Sequence, residues 1–329
     1  RKVDLNPAVR KHHIENLPEM SVESCITELE SRFGLTGLSV DPHVKSNLQT
    51  VLDEGSEGIT LTVWDGREII RVESGRHEAA YGLALDIGTT TVAGYLCDLK
   101  TGEIMVTEAV LNPQIRFGED IMSRIAYAKD HPDGLGEMNR TIVSAVNELA
   151  RRISSQAGLV PDDIGEVVMV GNTVMHHIFL GLGIVPLGMW PFPPVVSHSV
   201  NRKAREMGLE MLPSANVHTL PIEAAYVGAD NVGVMLAEEP YNRDEVQLII
   251  DVGTNGELIL GNRERVLSSS CATGPAFEGG NIRFGMRAAP GAIDRVRVDP
   301  CTCEVSFSLI GKTEWNTELA AEEVQARGI

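Results

Sequence analysis

Residues 83–92 read LALDIGTTTV, and residues 248–257 read LIIDVGTNGE. Each is an apolar run that ends in an aspartate, followed by x-Gly-Thr, a polar turn and the start of another run. The runs Leu83–Leu85 and Leu248–Ile250 have the character of buried strands bounded by turn residues. The copies lie roughly 165 residues apart, about the size of one α/β domain. Similarity at that spacing is a duplication of a whole lobe.

The same physical reading applies to both copies. A buried strand delivers Asp86 or Asp251 to its carboxyl end, where open α/β sheets place ligands. Gly88 and Gly253 have no Cβ, so the backbone there can come close to a phosphate. Successive N–H groups of a tight turn form an anion-binding concavity. The candidate phosphate contacts are therefore Gly88, Thr89, Thr90 and Thr91 in the first copy and Gly253, Thr254, Asn255 and Gly256 in the second. An aspartate cannot bond an anionic phosphate directly. The sensible partner for Asp86 and Asp251 is Mg²⁺, held through water because that ion keeps part of its hydration shell. Both are the candidate catalytic residues, positioning the metal and orienting the attacking water. Glu257 either helps order water or faces solvent at a strand start. One Asp-x-Gly-Thr alone is a common turn, and Asn255-Gly256 is itself a hairpin signal. Repetition on two apolar strands argues for a phosphate site split between two lobes.

Working outward, residues 167–173 (VVMVGNT) read as a strand ending in Gly171 before a helix. Asn172 and Thr173 are favoured N-cap types, and a helix N-terminus suits anions. Gly171 and Asn172 join the candidates on that ground, although a good N-cap alone also accounts for them. Asp230 follows Gly228 and Ala229, small residues that either admit a ligand or form a helix-packing notch. Ile142, Val146, Leu149 and Ile153 recur at helical spacing, with Gly158 as the stop. Residues 185–195 hold four prolines and read as an irregular loop. A helix lined with small residues is expected over Ala224–Leu236. Ahead of the first copy, helices are expected over Val22–Phe33 and from Pro42 to about Leu52. Strands Gly58–Trp64 and Glu68–Glu73 are joined by the hairpin signal Asp65-Gly66. The division predicted is a small α+β unit at 1–80, a first lobe at 81–244 and the start of a second at 245–329. Alternating strands and helices give a mixed α/β class.

Composition narrows the function classes. The chain has 329 residues, 28 Lys plus Arg against 46 Asp plus Glu, and a formal net charge of −18. That charge disfavours binding to a nucleic-acid backbone but not to a nucleotide held by amides and Mg²⁺. No run approaches the ~18 apolar residues of a membrane span, and the basic start RKVDLNPAVRKHH lacks the apolar centre of a secretory signal. A cytoplasmic protein is the expectation. Five cysteines without regular spacing do not make a disulfide framework. Cys301 and Cys303 share a face if they lie on a strand, and no second pair completes a metal site. Cys271 reads as a small buried residue rather than a nucleophile, the His176-His177 pair as weak metal evidence, and Trp190 as apolar loop packing rather than a partner-docking residue.

At these residues a resemblance becomes specific. The two Asp-x-Gly-Thr turns, with the strand, Gly171 and helix between them, resemble the phosphate and connecting motifs of the superfamily of actin, heat-shock chaperones and sugar kinases. Within it the sequence is similar to the ATP-dependent reductive activators of corrinoid proteins. The match is carried by LALDIGTTTVA (83–93), VMVGNTVM (168–175), YVGAD (226–230), residues 248–257, and above all SCATGPAFEGGNIRFGMRAAPGAID (270–294). The resemblance implies actin-like ATPase (ribonuclease H-like) lobes built from duplicated β-β-β-α units after a small α+β domain. It further implies ATP and Mg²⁺ as cofactors, a homodimer, and a corrinoid protein of a methyltransferase system as partner. ATP hydrolysis would drive reduction of that partner's Co(II) to Co(I).

Members of that family begin with a ferredoxin-like iron–sulfur domain, and no plant-type C-x₄-C-x₂-C run is present here. With the stop at Gly328-Ile329, this reads as a fragment lacking the electron-entry domain and part of the ATP cleft. Two rival readings stay open: a small-molecule kinase of the same superfamily, for which no acceptor base stands out, and a nucleotide-switch scaffold.

Overall fold

The computed structural model describes residues 5–15, 21–53, 58–253, 255–272, 284–286, 289–320, 324 and 326. The chain divides into two compact units, Arg1–Ala237 and Glu238–Ile329.

In the first unit, β1 (Val9–Glu15), α1 (Val22–Phe33), β2 (Ser39–Val40), α2 (Pro42–Asp53), β3 (Gly58–Trp64) and β4 (Glu68–Ser74) form a four-stranded sheet, in order β1-β3-β4-β2, with two helices. Ser21 caps α1 by accepting from the Ser24 amide, and Gly34 closes it in the left-handed region. Asp65 and Gly66 both have positive φ, as the tight β3–β4 hairpin requires. The sequence reading missed β1. Charged residues fill its middle, and only Val9 and Ile14, near its ends, are buried.

This leading segment is bonded to the rest of the unit. Asp41 is fully buried and receives two bonds from Arg205, at 2.9 and 3.0 Å. Trp64 donates to Glu166, and Val9 and Ile70 belong to the same hydrophobic core as Leu83 and Val167.

That core lies under a six-stranded sheet, β7-β6-β5-β8-β10-β9. Its members are β5 (Tyr81–Ile87), β6 (Thr91–Asp98), β7 (Ile104–Leu111), β8 (Ile164–Val170), β9 (Val200–Lys203) and β10 (Asn216–Thr219). Strands β5 to β7 run antiparallel, whereas β8 pairs in parallel with β5 and β10. The helices are α3 (Ile121–Asp130), α4 (Gly134–Gln156), α5 (Thr173–Leu180) and α6 (Ala229–Glu238). Met138, Ile142, Val146, Leu149 and Ile153 form one buried stripe of α4. That helix sits so close to the sheet that a Cβ on Gly94 would meet Leu149 and Ile153 at 2.9 Å. The order β5-β6-β7-α4 includes the expected three strands and helix, with the short α3 inserted. Helix α6 begins five residues later than expected, because Ala224 and Val227 bond to each other in a turn ahead of it.

His176 and His177 are buried in the core, not at a ligand site. Burial holds both below the ordinary imidazole value, His176 at about 4. His176 Nε2 faces Thr219 Oγ1 at 3.1 Å, and its Nδ1 has no hydrogen-bond partner. A histidine kept neutral in the fold but free to protonate when unfolded contributes stability above its unfolded pKa, and loses it as pH falls. Thermal unfolding between pH 7 and 4.5 should therefore show a loss of about 2 kcal/mol that the His176→Gln variant lacks.

In the second unit, β11 (Gln247–Val252), β12 (Asn255–Gly261) and β13 (Val266–Ala272) form an antiparallel sheet, and β14 (Ile293–Val298) and β15 (Val305–Leu309) a two-stranded ribbon. Leu248, Ile250 and Val252 are each more than half exposed, whereas their counterparts Leu83, Leu85 and Ile87 are buried. No helix of the described residues in this unit lies on that face. Cys301 and Cys303 sit in the β14–β15 turn, held by Asp299, rather than on a strand. Among the described residues no helix is long and apolar enough to cross a membrane.

Candidate functional site

The first turn is built by donors beneath it. Asn112 Nδ2 donates to Gly88 O at 2.8 Å, Arg124 Nη2 to Thr89 O at 2.6 Å, and the Asn112 amide to Thr90 O at 2.7 Å. Three successive carbonyls are thus taken from the interior. Gly88 N closes the turn on Thr91 O, and a Cβ at Gly88 would stand 2.9 Å from that oxygen. Among the described residues, the amides of Thr89 and Thr90 have no acceptor. Carbonyls drawn inward and amides left outward form the concavity that binds anions.

Parallel pairing sets Asp86 beside Val170 at the carboxyl ends of β5 and β8. Asn172 then caps α5 by accepting from the Val174 and Met175 amides, while its Nδ2 donates to Thr89 Oγ1 at 3.0 Å. Gly171 O accepts from the amides of Ala229 and Asp230 at the start of α6. Side chains would not fit at either glycine of this crossing. A Cβ on Gly171 would lie 2.6 Å from Ile87 O, and one on Gly228 would lie 2.5 Å from Asn172 Cα. Asp86, Gly88, Thr89, Thr90, Thr91, Gly171, Asn172 and Asp230 are therefore gathered at one end of the six-stranded sheet, with the glycines acting as a packing notch.

Sequence reading missed Asn112, Gln114 and Arg124. All three are buried. Gln114 joins the network by accepting from Asn112 and Arg124 and donating to Met138 O. The only local signal was Asn112-Pro113, a turn dipeptide.

The second turn differs in length. Val252 pairs with Gly256, leaving three residues between the strands, whereas Ile87 pairs with Val92 across four. One consequence is that Glu257 stands directly opposite Asp251, where the first copy has Ala93 opposite Asp86. Directly opposed residues share a face about 5 Å apart at Cβ, where like charges repel. Two carboxylates held there suit a divalent cation, which takes one or two protein carboxylates together with phosphate and water. Ser270 Oγ donates to Glu257 Oε1 at 3.3 Å. Gly253 N closes on Asn255 O, and Thr254 lies outside the described residues. Among the described residues no group of three or more histidine, cysteine or carboxylate side chains is placed to share a metal ion.

Two expectations are corrected here. Cys271 is exposed, not buried, and its thiol donates to Gly256 O, because the sheet of β13 has little cover among the described residues. Trp190 is 84% exposed. Phe192, packed against Tyr226, fills the position beneath this loop instead. Much of residues 270–294, the most distinctive stretch of the sequence, lies outside the described residues.

Three family models match the chain in succession: the RACo linker region over residues 1–79, the RACo middle region over 81–243, and the C-terminal domain of RACo, the ASKHA domain, over 245–329. The chain is 36% identical to a corrinoid activation enzyme, RamQ, of Eubacterium limosum, over 79% of its own length and 43% of the relative's. It is 28% identical to the [Co(II) methylated amine-specific corrinoid protein] reductase of Methanosarcina barkeri, over 66% of its length and 41% of that protein's. Among solved structures, a reductive activator for a corrinoid, iron–sulfur protein superposes with a TM-score of 0.81 at 33% identity, covering 94% of this chain and 51% of that one. The chain spans less than half the length of the curated relatives it matches.

Proposed function

We propose that this chain, which belongs to the RACo family of reductive activators, is the ATP-binding part of an enzyme that restores a corrinoid protein of a methyltransferase system to its Co(I) state. The observation that carries the nucleotide reading is the Gly88–Thr91 turn, whose carbonyls are held by Asn112 and Arg124. Thr89 and Thr90 amides, with the threonine hydroxyls, bind phosphate oxygens. In the second unit Gly253, Thr254, Asn255 and Gly256 serve as the corresponding phosphate-binding turn. Asp86 in the first unit, and Asp251 with Glu257 opposite it in the second, would each hold Mg²⁺ through water. Mg²⁺ held by these carboxylates would supply positive charge against the phosphate oxygens. The Asn172 side chain sets the edge of the first turn, and Asp230 joins the site from the start of α6, bonded to Gly171 O. Hydrolysis changes the population of conformations in the complex with the corrinoid protein, so that an electron can reach Co(II). The relatives' printed activities support that assignment, and family resemblance supports a homodimer.

Phosphate release from ATP, measured under reducing anaerobic conditions with corrinoid proteins added one at a time, tests the reading. Release should rise with one partner while its Co(II) absorbance converts to that of Co(I). Release that ignores every corrinoid protein would leave only an ATP-binding fold.

A further inference from the structure

Arg124 is the largest fully buried side chain of the described residues, and its surroundings are unusual for a cation. Its Nε donates to Gly118 O at 3.0 Å, Nη1 to Gln114 Oε1 and Met175 Sδ, and Nη2 to Thr89 O. Every acceptor is neutral. Asp120 caps the same helix and its field favours the charged form, but its carboxylate is engaged with Ser123, and the two make no ion pair. A buried charge without a counter-charge is costly, and proteins normally pair it. An uncharged side-chain amide has two N–H donors and could make only two of these four bonds, so the fork itself holds the turn. What a guanidinium also adds is positive charge beneath a turn whose outer amides already point toward an anion's place.

We infer that Arg124 is a positioning residue for the nucleotide, a fixed buried cation whose counter-charge is the phosphate bound on the outer side of the Gly88–Thr91 turn. This rests on the ATP-binding reading of that turn and adds to it. The arrangement does two things. It locks the Thr89 carbonyl inward, which aims the amides outward. It also supplies a pre-set positive potential in a place from which water is excluded, where a charge acts more strongly than at the surface. A fixed charge of this kind discriminates by phosphate number. Affinity for ATP should depend on it more than affinity for AMP.

The test separates charge from shape by titrating Mg·ATP, and then AMP, into the intact protein and three variants. Arg124→Lys keeps the charge and loses the fork. Arg124→Gln loses the charge and keeps two N–H donors. Gln114→Glu leaves Arg124 in place and sets a carboxylate against it, 3.2 Å being the present Nη1···Oε1 distance. Arg124→Gln and Gln114→Glu should each raise the Kd for ATP about tenfold and the Kd for AMP less, while Arg124→Lys stays within about threefold of wild type. Thermal unfolding without nucleotide establishes that each variant is folded; if Arg124→Gln is not, the comparison of Gln114→Glu with Arg124→Lys decides. Equal losses in all three variants, or no loss in Gln114→Glu, would overturn the inference while leaving the functional reading intact. Wild-type protein that bound no ATP would bring down both.

Discussion

Asp86→Ala is expected to lower ATP-dependent activity by roughly 10²–10³-fold while leaving the fold unchanged, and Asp251→Ala to do the same. Asp86 sits at the exposed end of β5, just before the turn. A substitution at an exposed strand end usually changes stability by no more than about 0.5 kcal/mol. Its chemical cost is larger, because no other described carboxylate lies on β5 or its turn to hold Mg²⁺ in its place. Phosphate release and Co(I) formation should fall together, and the melting temperature should shift by no more than about 2 °C. In the second copy Glu257 stands opposite Asp251, so Glu257→Gln should lose less than Asp251→Ala. Preserved turnover in both alanine variants would remove the metal assignment.

Asp41→Ala is expected to have the largest effect on stability. The carboxylate is fully buried, takes both Arg205 bonds, and also accepts from the His43 amide at the start of α2 at 2.8 Å. Removing one partner of a buried pair costs about 3 kcal/mol or more, tempered here because Arg205 is 37% exposed and can turn to solvent. Loss of the helix-start bond adds about 1 kcal/mol. A fall of about 10 °C in melting temperature is expected for a unit of this size, with ATP affinity of the folded protein unchanged because Asp41 is remote in the fold from the Gly88–Thr91 turn. Arg205→Met should cost more than solvent-facing substitutions such as Arg67→Met. A melting temperature within about 2 °C of wild type would show that the Asp41–Arg205 pair does not hold the leading segment in place.

The part of this architecture written in local sequence was legible. Strand β5 and its repeat β11, the Asp65-Gly66 hairpin, α1, α4 and the Asn172 cap are each set by neighbours within a few residues, and they occur where the residue pattern puts them. The support of the site was not legible, because it is assembled across the chain. The donors to Gly88 O and Thr89 O come from 24 and 35 residues away, and the bond to Thr89 Oγ1 from 83. In sequence Arg124 looks like any cation on a short helix; only the packing of Met175 and Gln114 around it shows that it faces inward. The Asp251–Glu257 pairing escaped for a different reason. It depends on a turn one residue shorter than its copy, and a shift of one residue decides which side chains share a face. The late start of α6 likewise reflects the turn bonds between Ala224 and Val227, which no helical periodicity discloses.

Amide hydrogen exchange across residues 88–91, with and without saturating Mg·ATP, shows whether the Gly88–Thr91 turn holds the nucleotide. Thr89 and Thr90 amides have no acceptor among the described residues and should exchange fast in the free protein. ATP should slow them by about tenfold or more, and Asp98, at the far end of β6, and Glu103, in the turn beyond it, should be unaffected. Unchanged exchange at Thr89 and Thr90 with ATP demonstrably bound would contradict that role for the turn, and would place the nucleotide elsewhere on the chain.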